Sequence, residues 1–476
     1  MSDLDLQAPT LVHQLGAFAA DARDQGVPDE VAASVRQRIL DTIGVAVAAQ
    51  VLPTSTAALE HVAAGGGVAE SRAFGVADKV PAAQAAFANG VLSHSLDYDD
   101  THLPSVLHPS ASVVPAALAV AEAQGSTGQQ LTRAIAVGLE IAVRIGMAGY
   151  NREEANSTFF LYGQHATSIC GAIGSAAAAA MLLGADAGGI ADAMGISCSF
   201  ASGIIEGNRT GGTVKRTHCG WAAQGGVTAA QLAVRGFTGP PTVFEGKFGF
   251  FQAFLKGVYN RDELTDRLGE HWEVPGIFFK PYPANHFTHA GADAAMRLRE
   301  RGLTPDDVES IVLGVPSYTA RTIGEPIEVK RAPETGYQAQ FSGPYTVAAA
   351  LFGGHGLGLS LADFQDDLAA DPARRALMAK ISVVGDPECD RIFPMQFPAI
   401  LRVTTTDGRQ LEERVLENRG GPGRPLSNDE LQQKFRDNVS PWMSQDAIAA
   451  VAAIVDDPSG LDDLASLLAG TVAPTA

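Results

Sequence analysis

The chain is poor in the residues that mark a disulfide scaffold, a zinc ribbon or a nucleic-acid binder. Only four cysteines occur among 476 residues. They stand apart at Cys170, Cys198, Cys219 and Cys389 with no CxxC pair, so they read as reduced, buried small residues. Charge is also sparse, at 18% of residues, and 34 Lys plus Arg oppose 53 Asp plus Glu for a formal net charge of −19. Such a surface repels nucleic acid and anionic membranes, so neither is an expected partner, and any site for an anionic substrate must gather its cations locally. The longest near-apolar run, Ala172 to Leu183, is short of the roughly 20 residues that span a bilayer. The opening MSDLDLQ carries acids where a signal peptide carries Lys or Arg, and a cytoplasmic protein is expected.

What the chain has in abundance is alanine-rich and glycine-rich helix. Its length exceeds what one core holds, which predicts two domains. Pro28 and Asp29 open a helix through Ala49, with Val31, Val35, Ile39 and Ile43 on one face. Helices are expected from Pro81 to Ser93, Ala111 to Gln124, Gly128 to Ala148, His165 to Leu183, Ile190 to Ser202 and Ala222 to Arg235. Strings such as CGAIGSAAAAAMLLG favour close helix-to-helix approach.

After Lys280 the period shortens to two. Strands are expected at Glu309 to Val315 and Ile381 to Val384, with a hairpin of Ile400 to Thr405 and Gln410 to Val415 turning at Asp407-Gly408. Helices at Phe287 to Glu300 and Gln338 to Phe352 interleave with them, giving a smaller α+β domain. The break GGPGRP, Gly420 to Pro425, precedes a capping box of Ser427 and Glu430, after which the chain is helical again. The division expected is 1–276 with 424–476 as the helical domain and 277–423 as the α+β domain.

Three polar strings interrupt this apolar texture. In HSLDYDDTHLPSVLH, from His94 to His108, three histidines and three acids crowd around a loop holding Asp97, Asp99, Asp100, Thr101 and His102. Each of these groups is costly unless paired or wet. Proton relay and histidine orientation suit them. A metal is not expected, because HExxH and other close ligand spacings are missing; helix capping and ion pairing is the plainer alternative. In EGNRTGGTVKRTHCG, Arg209, Lys215, Arg216 and His218 gather around Gly211-Gly212 before a helix, a carboxylate or phosphate cradle without a Walker loop. In FFKPYPANHFTHAG, Lys280 follows an apolar pair at the change of texture, with Tyr282, His286 and His289 after it. Domain junctions favour ligand sites, and a desolvated lysine is useful in proton transfer. His165, in GQHATS, is a fourth candidate, although a lone histidine there is more often a hydrogen-bonded core residue.

Together these strings resemble the MmgE/PrpD family over nearly the whole chain. The resemblance rests on LDTIGVAVAA, DYDDTH, LHPSASVVPA, GQHATS, GGTVKRTHCGWAAQGG, KPYPANHFTHA and YQAQFSGPYTVAAAL. It implies a mainly α protein: a large all-helical domain built from both chain ends and a smaller inserted α+β lid domain. It further implies a homodimer and cofactor-free, metal-free chemistry on a small anionic carboxylate. The implied catalytic set is Asp97, Thr101, His108, His165, Lys215 and Lys280, with Arg209, Arg216, Tyr282, His286 and His289 binding substrate. Some relatives place a histidine five positions after the lysine; this chain has Asn285 there, followed by His286.

The implied activity is that of a lyase working through a carbanion-like state, either dehydrating a citrate-like hydroxy acid or decarboxylating a cis-aconitate-like acid. An epimerase of a dicarboxylate such as iminodisuccinate is the alternative within the family, and a non-catalytic carboxylate-binding protein the alternative outside it. In the mechanism expected, His108 and His165 move protons, Asp97 fixes a histidine tautomer, Thr101 hydrogen-bonds substrate and the cations stabilise developing charge.

Overall fold

Glycine and alanine set the helix spacing on which the larger of two units is built. The computed structural model describes residues 9–154, 156–207 and 212–471. It divides into a first unit, residues 1–277 with 438–476, and a second, residues 278–437. The protein is mainly α, with a small sheet in the second unit.

The first unit is helical: α1 (Leu11–Gln25), α2 (Asp29–Ala48), α3 (Pro53–Gly65), α4 (Ala82–His94), α5 (Ser110–Gln124), α6 (Gly128–Ala148), α7 (Ala166–Leu182), α8 (Ala187–Phe200) and α9 (His218–Ala233). The expected helices therefore form within a few residues of their predicted ends. The exception is α9, which begins four residues early so that His218 is its first residue. Helix α7 is buried from Ala166 through Met181, the pattern of a helix enclosed on all sides. It packs against α5, α6, α8 and α9.

Such burial requires backbones to approach closely. A Cβ on Gly174 would lie 2.3 Å from the Gly138 carbonyl oxygen, and one on Gly171 would lie 2.2 Å from Ser112 Oγ. The crossing of α4 and α9 depends on the same device. A Cβ on Gly220 would stand 2.4 Å from the Phe87 carbonyl, and one on Gly90 would stand 2.8 Å from Gly220 Cα. That contact carries His94, at the end of α4, towards His218, at the start of α9.

In the second unit, strands β1 (Val308–Val315), β2 (Ile381–Gly385), β3 (Ala399–Thr405) and β4 (Gln410–Val415) form one sheet in the order β2-β1-β3-β4. β1 and β2 are parallel, with Ile311 opposite Ile381. β3 lies antiparallel to β1 and to β4, with Leu401 opposite Leu313 and Glu413. The hairpin turns at Gly408, whose φ of 86° suits glycine. Helix α10 (His289–Glu300) packs on β3 and β4 and against α11 (Gly343–Phe352). The single helix expected from Gln338 to Phe352 is broken: Ser342 accepts from the Tyr345 amide and caps α11, so the run restarts there.

Ser427 and Glu430 form the expected reciprocal cap, the Glu430 amide donating to Ser427 Oγ and the Ser427 amide to Glu430 Oε2. The break at Gly420 to Pro425 does not, however, end the second unit, which runs on to Asp437. From 438 the chain belongs to the first unit, where the Gly128 amide donates to Asp462 Oδ1 at 2.9 Å. Among the described residues, no single helix is long and apolar enough to cross a membrane.

Two substitutions in α9 test the spacing argument with opposite signs. Gly220→Ala pushes a methyl group into the Phe87 carbonyl and is expected to lower stability by about 1–3 kcal/mol. Gly225→Ala, whose Cβ meets only Phe200 Cβ at 3.6 Å, should leave stability unchanged or raise it by up to about 1 kcal/mol. Thermal unfolding of the two variants beside the parent checks both.

Candidate active site

Asp100 organises the loop between α4 and α5. Its carboxylate accepts from Arg38 Nη1 at 3.0 Å, from Ser110 Oγ at 2.5 Å and from the Ser110 amide at 3.2 Å. Arg38 and Asp100 are 1% and 2% exposed, so the pair is dry. Burial pushes the Asp100 carboxyl up from its usual range and the Arg38 guanidinium down, each opposed by the partner's charge. Arg38 also donates to the Ile277 carbonyl at 2.7 Å, which ties the loop to the end of the first unit.

The main chain of Asp100 acts on a second group. His108 Nδ1 lies 2.6 Å from the Asp100 carbonyl oxygen and 3.3 Å from Thr101 Oγ1. A carbonyl accepts only, so Nδ1 carries the hydrogen and Nε2 the lone pair. The His108 amide donates to Thr167 Oγ1, in the first turn of α7. His108 is thereby held as a base at Nε2.

Three further imidazoles surround it. His94 donates from Nδ1 to Asp99 Oδ2 at 2.7 Å. The His94 ring stands 5.6 Å from those of His108 and His165, centroid to centroid, and His165 stands 4.9 Å from His218. His165 caps α7 with its amide on the Gly203 carbonyl. Its Nδ1 and that of His218 are 2.9 Å apart, so they share one hydrogen. Burial, reinforced by the charges on His94 and Lys215, pushes His165 well below the ordinary histidine range and His218 down to about 4. Both are neutral near pH 7.

Lys215 supplies the cation. Its Nζ is 3.6 Å from Asp97 Oδ1, and the side chain keeps 23% of its surface, enough to meet a second anion. Asp97 sits in the left-handed region at φ 53°, which aspartate tolerates better than most residues.

Of the residues expected from sequence, Asp97, Thr101, His108, His165 and Lys215 come together in the first unit. The histidine bound to a carboxylate is His94, and its partner is Asp99; the His108 tautomer is set by a main-chain carbonyl. Neither bond involves the Asp97 carboxylate expected in that role. Arg216 donates to Thr54 Oγ1 at 3.0 Å, next to the start of α3. Arg209 lies outside the described residues. His102 is structural: Nδ1 meets Ser105 Oγ at 2.8 Å, and Nε2 is 3.5 Å from Glu273.

Lys280, Tyr282, His286 and His289 belong to the second unit and are buried there. The Phe279 amide donates to the Gly420 carbonyl. Tyr282 donates to Asp293 at 2.6 Å and accepts from Arg419, which also reaches Glu430. This web fixes the KPYP segment, and burial raises the Tyr282 hydroxyl well above its usual range. The His289 ring lies 4.8 Å from His286, and its Nε2 donates to the Ala284 carbonyl.

His94 and His218 were legible as residues, since both lie in the polar strings, but no spacing rule marks them as members of the cluster. Only the α4–α9 crossing does.

The arrangement gathers imidazoles, carboxylates and a lysine on a helical scaffold. Residues 13–262 match the MmgE/PrpD N-terminal domain and residues 282–457 the MmgE/PrpD C-terminal domain, and the chain belongs to the MmgE/PrpD family. It is similar to cis-aconitate decarboxylase of Homo sapiens, 30% identical over 94% of this chain and 92% of that protein. The corresponding protein of Aspergillus terreus is 26% identical over 95% and 94%. 2-Methylcitrate dehydratase of Cupriavidus necator is 29% identical over 49% of each chain.

The two depressed histidines make a prediction about acid. The unfolded chain protonates them near pH 6.5 and the native state does so only lower, so the unfolded state binds more protons between those values and stability falls as pH drops. Urea midpoints should therefore decline from pH 7 to pH 5, and His218→Gln should decline less than the parent over that interval. Parallel pH dependence in the two proteins would contradict the assignment.

Proposed function

We propose that this chain is a lyase acting on a small di- or tricarboxylate through a carbanion-like state. It removes carbon dioxide from a cis-aconitate-like acid or water from a citrate-like hydroxy acid. The observation that carries the reading is the His108 environment: an imidazole held as an Nε2 base, beside neutral His165 and the Lys215 ammonium. Full-length similarity to cis-aconitate decarboxylases, against half-length similarity to 2-methylcitrate dehydratases, favours the carboxy-lyase branch.

The chemistry follows from where charge appears. Breaking a bond at a carbon beside a carboxylate leaves an electron pair that delocalises onto oxygen. A fixed cation or donor at such an oxygen is worth roughly 3 kcal/mol, far above an exposed ion pair. Lys215 holds a substrate carboxylate in the first unit, with Asp97 orienting the ammonium and Thr101 donating its hydroxyl. His108 takes or returns the carbon-bound proton, and His165, kept neutral, hydrogen-bonds without competing for the anion. Lys280 supplies a second cation, and Tyr282, His286 and His289 shape the segment that bears it. Arg209 and Arg216 are assigned to substrate binding. The reaction as written uses no metal or cofactor. A cytoplasmic homodimer completes the proposal.

Proton NMR of the purified protein incubated with cis-aconitate, citrate, 2-methylcitrate and iminodisuccinate separates loss of carbon dioxide, loss of water and inversion. Loss of carbon dioxide from cis-aconitate is the expected outcome; inversion alone, or no change in any acid, would reject a lyase. His108→Ala should reduce turnover by about 10²–10⁴-fold with its melting temperature retained. Lys215→Ala should raise KM by about tenfold or more, the cost of one charge-assisted hydrogen bond; an unchanged KM removes Lys215 from substrate binding.

A further inference from the structure

His165 and His218 meet Nδ1 to Nδ1 at 2.9 Å, and among the described residues neither ring has another hydrogen-bond partner. The contact is braced by main chain on more than one side. Ser168, in the first turn of α7, donates its amide to the His165 carbonyl and its hydroxyl to the His218 carbonyl, the latter at 3.0 Å. The His165 amide donates to the Gly203 carbonyl, and the Ile205 amide donates to the Gly163 carbonyl. Gly203 has a φ of 131°, and a Cβ there would lie 3.2 Å from Ser168 Cβ and 3.3 Å from His165 Cβ. Three segments thus hold two imidazole nitrogens face to face.

That contact ties the tautomers of the two rings in opposite senses. Two Nδ1 atoms at this distance attract only when one carries hydrogen and the other a lone pair. If His218 carries hydrogen on Nδ1, His165 accepts there and holds its own hydrogen on Nε2. In the reverse arrangement His165 Nε2 is a lone pair. Burial, reinforced by the charges on His94 and Lys215, keeps both rings neutral near pH 7, so the tautomer is the variable left.

We propose that His218 is a positioning residue: it donates its Nδ1 hydrogen to His165 and so fixes His165 with hydrogen on Nε2, a neutral donor to a carboxylate oxygen of the substrate. This role rests on the lyase reading and sets the form in which that reading uses His165. The anion decides between the two arrangements. A lone pair at His165 Nε2 repels the oxygens on which charge develops, whereas an Nε2–H stabilises them. His108 has the reverse tautomer, with hydrogen on Nδ1 and a lone pair on Nε2, so proton transfer at carbon stays with His108. A main-chain carbonyl sets the base and an imidazole sets the donor.

In ¹⁵N spectra of the histidine-labelled protein at pH 7, assigned by single substitutions, His165 should carry hydrogen on Nε2 and His218 on Nδ1. The reverse pattern, or an imidazolium at either residue, overturns the proposal. Two substitutions of equal size then separate donation from packing. His218→Asn keeps an N–H where Nδ1 stood and should leave the His165 tautomer unchanged, with kcat/KM within about fivefold of the parent. His218→Asp can only accept there, so the His165 hydrogen should move to Nδ1 and kcat/KM should fall about 10²-fold or more. An unchanged His165 tautomer in His218→Asp, or equal activity of the two variants, overturns the proposal. If His218→Asp does not fold, the parental spectrum and His218→Asn decide. If the parent transforms none of the four acids, the lyase reading fails, while the spectra still show whether His218 sets the His165 tautomer.

Discussion

The buried pairing of Arg38 with Asp100 is the constraint on which the rest of the site depends. A guanidinium and a carboxylate withdrawn from water are tolerable only when each is almost fully hydrogen-bonded, and removal of one partner from such a pair costs about 3–5 kcal/mol. Here the remaining capacity of the carboxylate goes to Ser110 and that of the guanidinium to Ile277. The loop between α4 and α5 is thus anchored, and the Asp100 carbonyl is aimed at His108. A structural ion pair in this way selects a tautomer one bond away from itself.

The second constraint is steric. Imidazoles from three helix termini meet only because their helices cross at glycine, and His94 and His218 reach the cluster from positions some 120 residues apart. Crowding then adjusts their chemistry. Rings this close cannot all charge, and burial with the mutual contact of His165 and His218 keeps those two neutral.

Much of this was legible in the sequence, for identifiable reasons. Helices such as Gly128–Ala148 and the Asp407-Gly408 hairpin follow from periodicity and turn chemistry, which are local. The strings holding Asp97 to His108 and Lys215 to His218 stand out because titratable residues are expensive inside apolar helices. Roles within the strings are not local. Asp97 and Asp99 are two residues apart in one loop, and which carboxylate meets a histidine depends on the left-handed turn at Asp97 and on where α4 ends. The early start of α9 was hidden because Lys215, Arg216 and Thr217 mask the helical period. The second unit's continuation through 437 was hidden because a Gly-Pro break reads as a boundary whether or not packing ends there.

The return of residues 438–471 to the first unit bears on how the molecule is made. Gly128, which begins α6, donates its amide to Asp462. During synthesis that bond must wait for more than three hundred further residues to leave the ribosome. The second unit, contiguous in the chain, is complete in sequence before the helical unit receives its last segment. The nascent helical unit therefore carries an open flank through most of translation, a period in which chaperones would find their substrate.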